Sequence, residues 1–146
     1  MGRIERFENI EAWDAASKLT KRIYDLSNRG RFTKDFSLRD QLRRAVVSVM
    51  ANIAEGYERG GDKEFQQFLS TAKASCAEVR SHLYVAFDQQ YLTEPDFAAL
   101  KRDSEKISRM LSGFIGYLRQ SEFRGKKFKT FDASGPKAAP LSRGAK

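Results

Sequence analysis

Apolar residues recur at steps of three and four along four separate stretches of this chain. That is the spacing of amphipathic helices, and no strand-like alternation competes with it. The first stretch predicts a helix over about 10–27, with Trp13, Ala16, Thr20, Ile23, Tyr24 and Ser27 on one face. Asn9 stands where an N-cap belongs, and Glu11 and Asp14 suit the positive end of a helix dipole. Asn28 and Gly30 form a stop signal.

After a linker over 31–36, a second helix is predicted over about 37–57, with Leu38, Leu42, Val46, Val49 and Ile53 as its stripe. Gly56, or the pair Gly60 and Gly61, ends it. A third helix is predicted from an N-cap at Asp62 to about Gln90, with Phe65, Phe68, Leu69, Ala72, Cys76, Val79, Leu83, Ala86 and Phe87 on one face. The fourth has the clearest seam: Phe97, Leu100, Ser104, Ile107, Leu111, Phe114 and Leu118. Thr93 is its expected N-cap, Pro95 sits in the first turn, and Asp96 completes a short capping box. Gly116 marks a candidate point of close helix packing. Short connections join antiparallel neighbours, so the expected fold is all-α, an antiparallel up-down-up-down four-helix bundle over residues 1–121.

The second helix carries more apolar surface than one bundle needs. Val47, Met50 and Ala54 continue it well beyond the core stripe, which predicts a subunit interface and hence a homo-oligomer. Its remaining face is a polar stripe of Gln41, Arg44, Ser48, Asn52 and Glu55. Two readings of that stripe stand side by side. It is a recognition surface, or it is a hydrogen-bonded network in which Arg43 or Arg44 pairs with Glu55 or with Glu78 of the third helix.

Charge changes the picture in one respect. The net charge of the 146 residues is +8. Residues 122–146 hold seven basic and two acidic side chains, and lack helical period, so they read as a basic tail that is disordered when free. Residues 1–121 hold 20 basic and 17 acidic side chains and are nearly balanced. Within them, Arg39, Arg43 and Arg44 cluster on the second helix, and Lys18, Lys21 and Arg22 on the first. With Lys126, Lys127 and Lys129 of the tail they are the candidate contacts to a phosphate backbone, repeated in each subunit of a ring.

Chemistry is harder to find. His82 is the only histidine and Cys76 the only cysteine, so neither a di-iron Glu-x-x-His pair nor a Cys–His nucleophile can be assembled. Phosphate-binding glycine loops are missing. No catalytic residue, metal site, cofactor or small-molecule substrate is expected. With no apolar run of spanning length and no signal-like leader, a cytoplasmic location follows, without a membrane partner.

Three segments then carry a resemblance. They are FENIEAWDAA from Phe7, LRDQLRRAVVSVMANIAEGYERG from Leu38, and KEFQQFLSTAKASCAEVRSHL from Lys63. Over about residues 7–120 the chain resembles the four-helix-bundle family encoded in intervening sequences of bacterial 23S rRNA genes. It is also similar to the accessory proteins of diversity-generating retroelements. Arg43, Arg44, Ser48, Asn52, Glu55, Ser75 and Glu78 match the family pattern, whereas Met50 stands where the family often has proline. The resemblance implies a cytosolic, non-enzymatic bundle assembled as a pentamer, with RNA or a reverse transcriptase as partner. A protein–protein scaffold with no nucleic-acid role is the alternative reading.

Overall fold

The computed structural model describes residues 4–131, with side chains through Ser121. Four helices follow one another: α1 Glu11–Leu26, α2 Phe36–Arg59, α3 Asp62–Asp88 and α4 Glu94–Phe131. Short 3-10 turns occupy Phe7–Asn9 and Phe32–Lys34. Each helix packs on the next, and α1 closes the bundle against α4. The up-down-up-down bundle is therefore the observed fold. α4 continues to Phe131, past the boundary expected at 121, while the rest of the expected tail, 132–146, lies outside the described residues.

Helix ends follow local chemistry, with two corrections. Asn9 belongs to the first 3-10 turn, and the residue flanking α1 is Ile10, with no side-chain cap. Its side chain is buried, so apolar anchoring fixes the entry of α1 where a polar cap was expected. Asp62 is the first residue of α3 rather than its cap. α2 does have a cap, which the linker concealed: Asp35 Oδ1 accepts from Leu38 N at 3.2 Å. Thr93 behaves as expected, its Oγ1 accepting from Asp96 N at 3.2 Å. Gly60 ends α2 at φ +87°, a left-handed conformation that glycine adopts without strain. A two-residue connection at that point leaves α3 no course but back along α2.

α3 ends less comfortably. Gln90 N donates to Phe87 O and Tyr91 N to Ala86 O, both at 2.9 Å, the paired bonds of a Schellman cap. The left-handed residue in that cap is Gln90, at φ +63°. Gln90→Gly is expected to raise stability by about 0.5–1 kcal/mol, because glycine occupies this region without a Cβ clash. A urea midpoint that moves up at unchanged slope is the confirming result.

The core runs the length of the bundle. Ala16, Leu19 and Ile23 of α1 meet Leu42, Val46, Val49 and Ile53 of α2, with Phe65, Leu69, Val79 and Leu83 of α3 and Leu100, Ile107 and Leu111 of α4. The stripe of α1 is rotated from the expected one: Ala12 and Leu19 are buried, Trp13 and Thr20 are half-buried, and Tyr24 is 41% exposed. Two positions use polar or glycine chemistry to bring helices together. Buried Ser104 of α4 donates to Cys76 O at 3.1 Å, and Arg80 Nη1 donates to Ser104 Oγ at 3.2 Å. The close approach expected at Gly116 occurs instead at Gly56. A Cβ on Gly116 would meet nothing within 4 Å, but one on Gly56 would lie 2.6 Å from Phe68 Cβ and 3.0 Å from Phe65 Cδ1.

Candidate nucleic-acid interface

The polar stripe of α2 resolves first. Ser48 Oγ and Ser75 Oγ lie 3.0 Å apart across the α2–α3 seam, and Asn52 Nδ2 donates to Ser48 O at 2.8 Å and to Ser48 Oγ at 3.0 Å. Ser48, Asn52 and Ser75 thus form an interhelical network. Gln41 instead bonds back to Ser37, 2.9 Å from its Oγ. The expected arginine pairings do not form. Glu55 pairs with Arg59 at 2.8 Å, and Glu78 lies 3.5 Å from His82 Nε2. Both are i,i+4 neighbours on one helix, and local geometry wins over a reach between helices. Arg43 turns the other way, toward α1.

The basic candidates separate by what neutralises them. Lys18 pairs with Asp14 at 3.0 Å, Lys21 with Asp25 at 3.5 Å, and Arg22 with Asp103 of α4. Arg39 pairs with Asp40 at 3.0 Å. Arg43 Nε donates to Ser27 Oγ at 2.9 Å, a neutral partner that leaves its charge intact. Arg44 is exposed and has no acidic partner among the described residues. Lys126, Lys127 and Lys129 fall in the last turns of α4, where side chains are not described.

Three basic residues that sequence reasoning passed over complete the set. Arg29, Arg31 and Lys34 lie in the α1–α2 connection, where no helical period drew attention to them. Arg29 and Lys34 are exposed and have no ion-pair partner among the described residues. Residues 28–44 then hold six basic side chains against Asp35 and Asp40. The rest of residues 1–121 holds 14 basic and 15 acidic side chains. Within residues 1–121 the positive excess is thus concentrated in 28–44, and is not a property of the whole surface; the last turns of α4 add Arg124, Lys126, Lys127 and Lys129 against Glu122.

That end is held rigid. Buried Phe32 stacks on Tyr91 with centroids 5.1 Å apart, and the Arg31 guanidinium lies 5.3 Å from the Tyr91 ring. Arg31 Nη2 also donates to Gln89 O at 3.0 Å. Tyr91 donates its hydroxyl to Asp35 Oδ2 at 2.9 Å, and this bond is the first cause holding the phenol above its ordinary pKa. Because Asp35 also caps α2, one carboxylate ties the α1–α2 connection to the α3–α4 connection. Two aromatic rings flank this knot: Phe36 is 63% exposed and Tyr24 is 41% exposed. Each has a guanidinium over it, Arg39 at 5.0 Å from Phe36 and Arg43 at 4.5 Å from Tyr24.

The three residues of the expected subunit interface are all at least partly open to solvent. Val47 is 41% exposed and Ala54 is half-buried, so both face outward in part. Met50 is half-buried too, and it packs against the core beside α1, with Sδ 3.3 Å from Thr20 Oγ1. Exposed Ala51 is a further outward position on the same turn of α2. Cys76 is buried on α3, and burial pushes its thiol up to about 11, with Arg80 and Ser104 pulling the other way. It packs as a small apolar residue. Among the described residues no group of three or more His, Cys, Asp or Glu side chains could hold a metal ion, and no helix is long and apolar enough to cross a membrane.

Comparison with known proteins agrees with this architecture. The chain is similar in structure to a protein of unknown function from the S23 ribosomal protein family of Bacteroides thetaiotaomicron. The TM-score is 0.67 at 23% sequence identity, over 72% of this chain and 95% of that one. No curated protein matches. The model of the 23S rRNA-intervening sequence proteins matches residues 8–113, which spans α1, α2, α3 and the first half of α4. The chain therefore belongs to the 23S rRNA-intervening sequence protein family.

Proposed function

We propose that this protein is a non-enzymatic, cytoplasmic homo-oligomer that binds RNA through the basic end of each subunit. One observation carries the reading: residues 28–44 hold the positive excess of residues 1–121, and Arg29, Lys34 and Arg44 point that charge into solvent without acidic partners among the described residues. Assembly repeats the patch, and repeated unneutralised charge is what a polyphosphate backbone binds. The outward positions Val47, Ala51 and Ala54 support self-association through α2. The pentameric subunit number rests on the family resemblance alone.

RNA affinity measured against salt concentration tests the proposal. A log–log slope of about −2 to −4 is expected, which corresponds to about three to five phosphate contacts on an unpaired strand at −0.7 per contact. Absence of binding at low salt, or binding without a slope, removes the reading. Light scattering on the same samples is expected to give a multiple of the chain mass, and a monomer at micromolar concentration removes the oligomer.

A second reading has its own support. The outward face of α3 presents Ser70, Ala74, Ala77 and Ser81, all exposed and uncharged, and suits a protein partner such as a reverse transcriptase. Recovery of the same protein partner after nuclease treatment favours that reading over RNA.

A further inference from the structure

Four side chains at the basic end form a ladder across the α1–α2 groove: Phe36, Arg39, Arg43 and Tyr24. Arg39 and Arg43 are one helical turn apart on α2, so their stems are neighbours at about 6 Å. The Arg39 guanidinium stands 5.0 Å from the Phe36 ring, and that of Arg43 stands 4.5 Å from the Tyr24 ring. Ser27 Oγ holds Arg43 from one side, and Thr33 O accepts from Arg39 Nη1 at 2.9 Å, so both cations are fixed in place. The rings at the two ends of the ladder are open to water, Phe36 at 63% and Tyr24 at 41%.

Large rings left in solvent, Tyr24 in the last turn of α1 and Phe36 at the start of α2, are unfavourable for a lone bundle, since apolar area gains by burial. A solvated charge patch needs no aromatics. Two rings that bracket a pair of arginines inside a positive field match one ligand chemistry: flat, uncharged bases on a negatively charged backbone. Every base has a stacking face, and between the rings Arg43, whose partner Ser27 is neutral, keeps its charge for a connecting phosphate, while Arg39 is paired with Asp40. A duplex offers its phosphates but keeps its base faces stacked inside, so it can use the charges and not the rings.

We infer that the basic end is a stacking platform for an unpaired polynucleotide strand, with Phe36 and Tyr24 as its base-stacking residues. This rests on the reading of that end as the nucleic-acid-binding surface, and adds the class of strand it takes. Unaided electrostatics favours the more densely charged duplex, so a preference for the single strand separates stacking from charge.

The experiment uses the full chain and one oligonucleotide of about 12 nucleotides, a length within the site sizes of stacking grooves. It is offered as unpaired RNA, as unpaired DNA and annealed to its complement. The unpaired forms are expected to bind at least about tenfold tighter than the duplex. Phe36→Leu and Tyr24→Leu, which keep apolar volume at surface positions, are each expected to weaken unpaired binding about tenfold, with duplex affinity and salt slope unchanged. Equal loss on strand and duplex, no loss on either, or a preference for duplex overturns the stacking platform while leaving charge-driven binding intact. A Phe36→Leu variant of lower oligomer mass also overturns it, by placing that ring in a subunit contact. No binding of any form removes both this inference and the reading beneath it.

Discussion

Gly56→Leu is expected to destabilise the bundle by more than about 3 kcal/mol, and Gly56→Ala by about 2 kcal/mol. The cause is the approach of α2 to α3 just before their two-residue connection. An added Cβ would sit 2.6 Å from Phe68 Cβ, and that atom cannot rotate away because it moves only with the backbone of α3. It would also meet Phe65 Cδ1 at 3.0 Å, and Phe65 is wedged in turn, with Tyr57 and Phe114 edge-on at 6.0 Å and 5.1 Å between centroids. Separating the helices therefore loosens the aromatic cluster as well. Overpacking of this kind costs about 1–3 kcal/mol. Better helix propensity returns up to about 1 kcal/mol for alanine, and leucine adds bulk that alanine does not. Urea denaturation of the three proteins checks this, and an alanine variant as stable as the parent would mean that the helices can part at little cost. Gly116→Ala is the internal contrast: with open space at its Cβ, it should be neutral or slightly stabilising.

That contrast shows what the sequence pattern could and could not reveal. Both glycines interrupt helical periods, and nothing in the period says which faces a neighbouring backbone. The seam of α4 was legible down to its polar member, because Leu100, Ile107, Leu111 and Leu118 leave only one direction for the core. That Ser104 would bond Cys76 O depends on the offset of α3 against α4, which no single helix encodes. In α1 the bulk of Trp13 and Tyr24 drew the expected stripe, which did include Ala16, away from buried Ala12 and Leu19.

The candidate site divides along the same line. Lys18 and Lys21 were readable as neutralised, since Asp14 and Asp25 stand four residues away on the same helix. The pairing of Arg22 with Asp103 joins distant parts of the chain and was not. Arg39 and Arg43 were found as a cluster, but their rings were not, because Tyr24 and Phe36 belong to different segments until the α1–α2 connection folds back. Arg29, Arg31 and Lys34 sit in a connection without period, where charge density within a few residues was the only available signal.

Replacing Arg29, Lys34 and Arg44 together with alanine is expected to lower RNA affinity about a hundredfold at 0.1 M salt, and to flatten the salt slope by about two. Each phosphate contact to an unpaired strand contributes about 0.7 to that slope, so three contacts contribute about 2.1, or about two decades of affinity between 0.1 M and 1 M salt. All three side chains are exposed and lack acidic partners among the described residues, so the fold should change by less than about 0.5 kcal/mol per substitution. The matched triple at Lys18, Lys21 and Arg22 removes the same formal charge. Those cations, however, stand beside Asp14, Asp25 and Asp103, and their local field is largely cancelled before the substitution is made. Its loss should stay below about fivefold, with a slope changed by less than one. Equal losses in the two triples would mean that only net charge matters, and that the end of the bundle carrying residues 28–44 has no special part in binding. A large loss confined to Arg29, Lys34 and Arg44 places the backbone contacts there, because the two variants differ in where the charge stood and not in how much was removed.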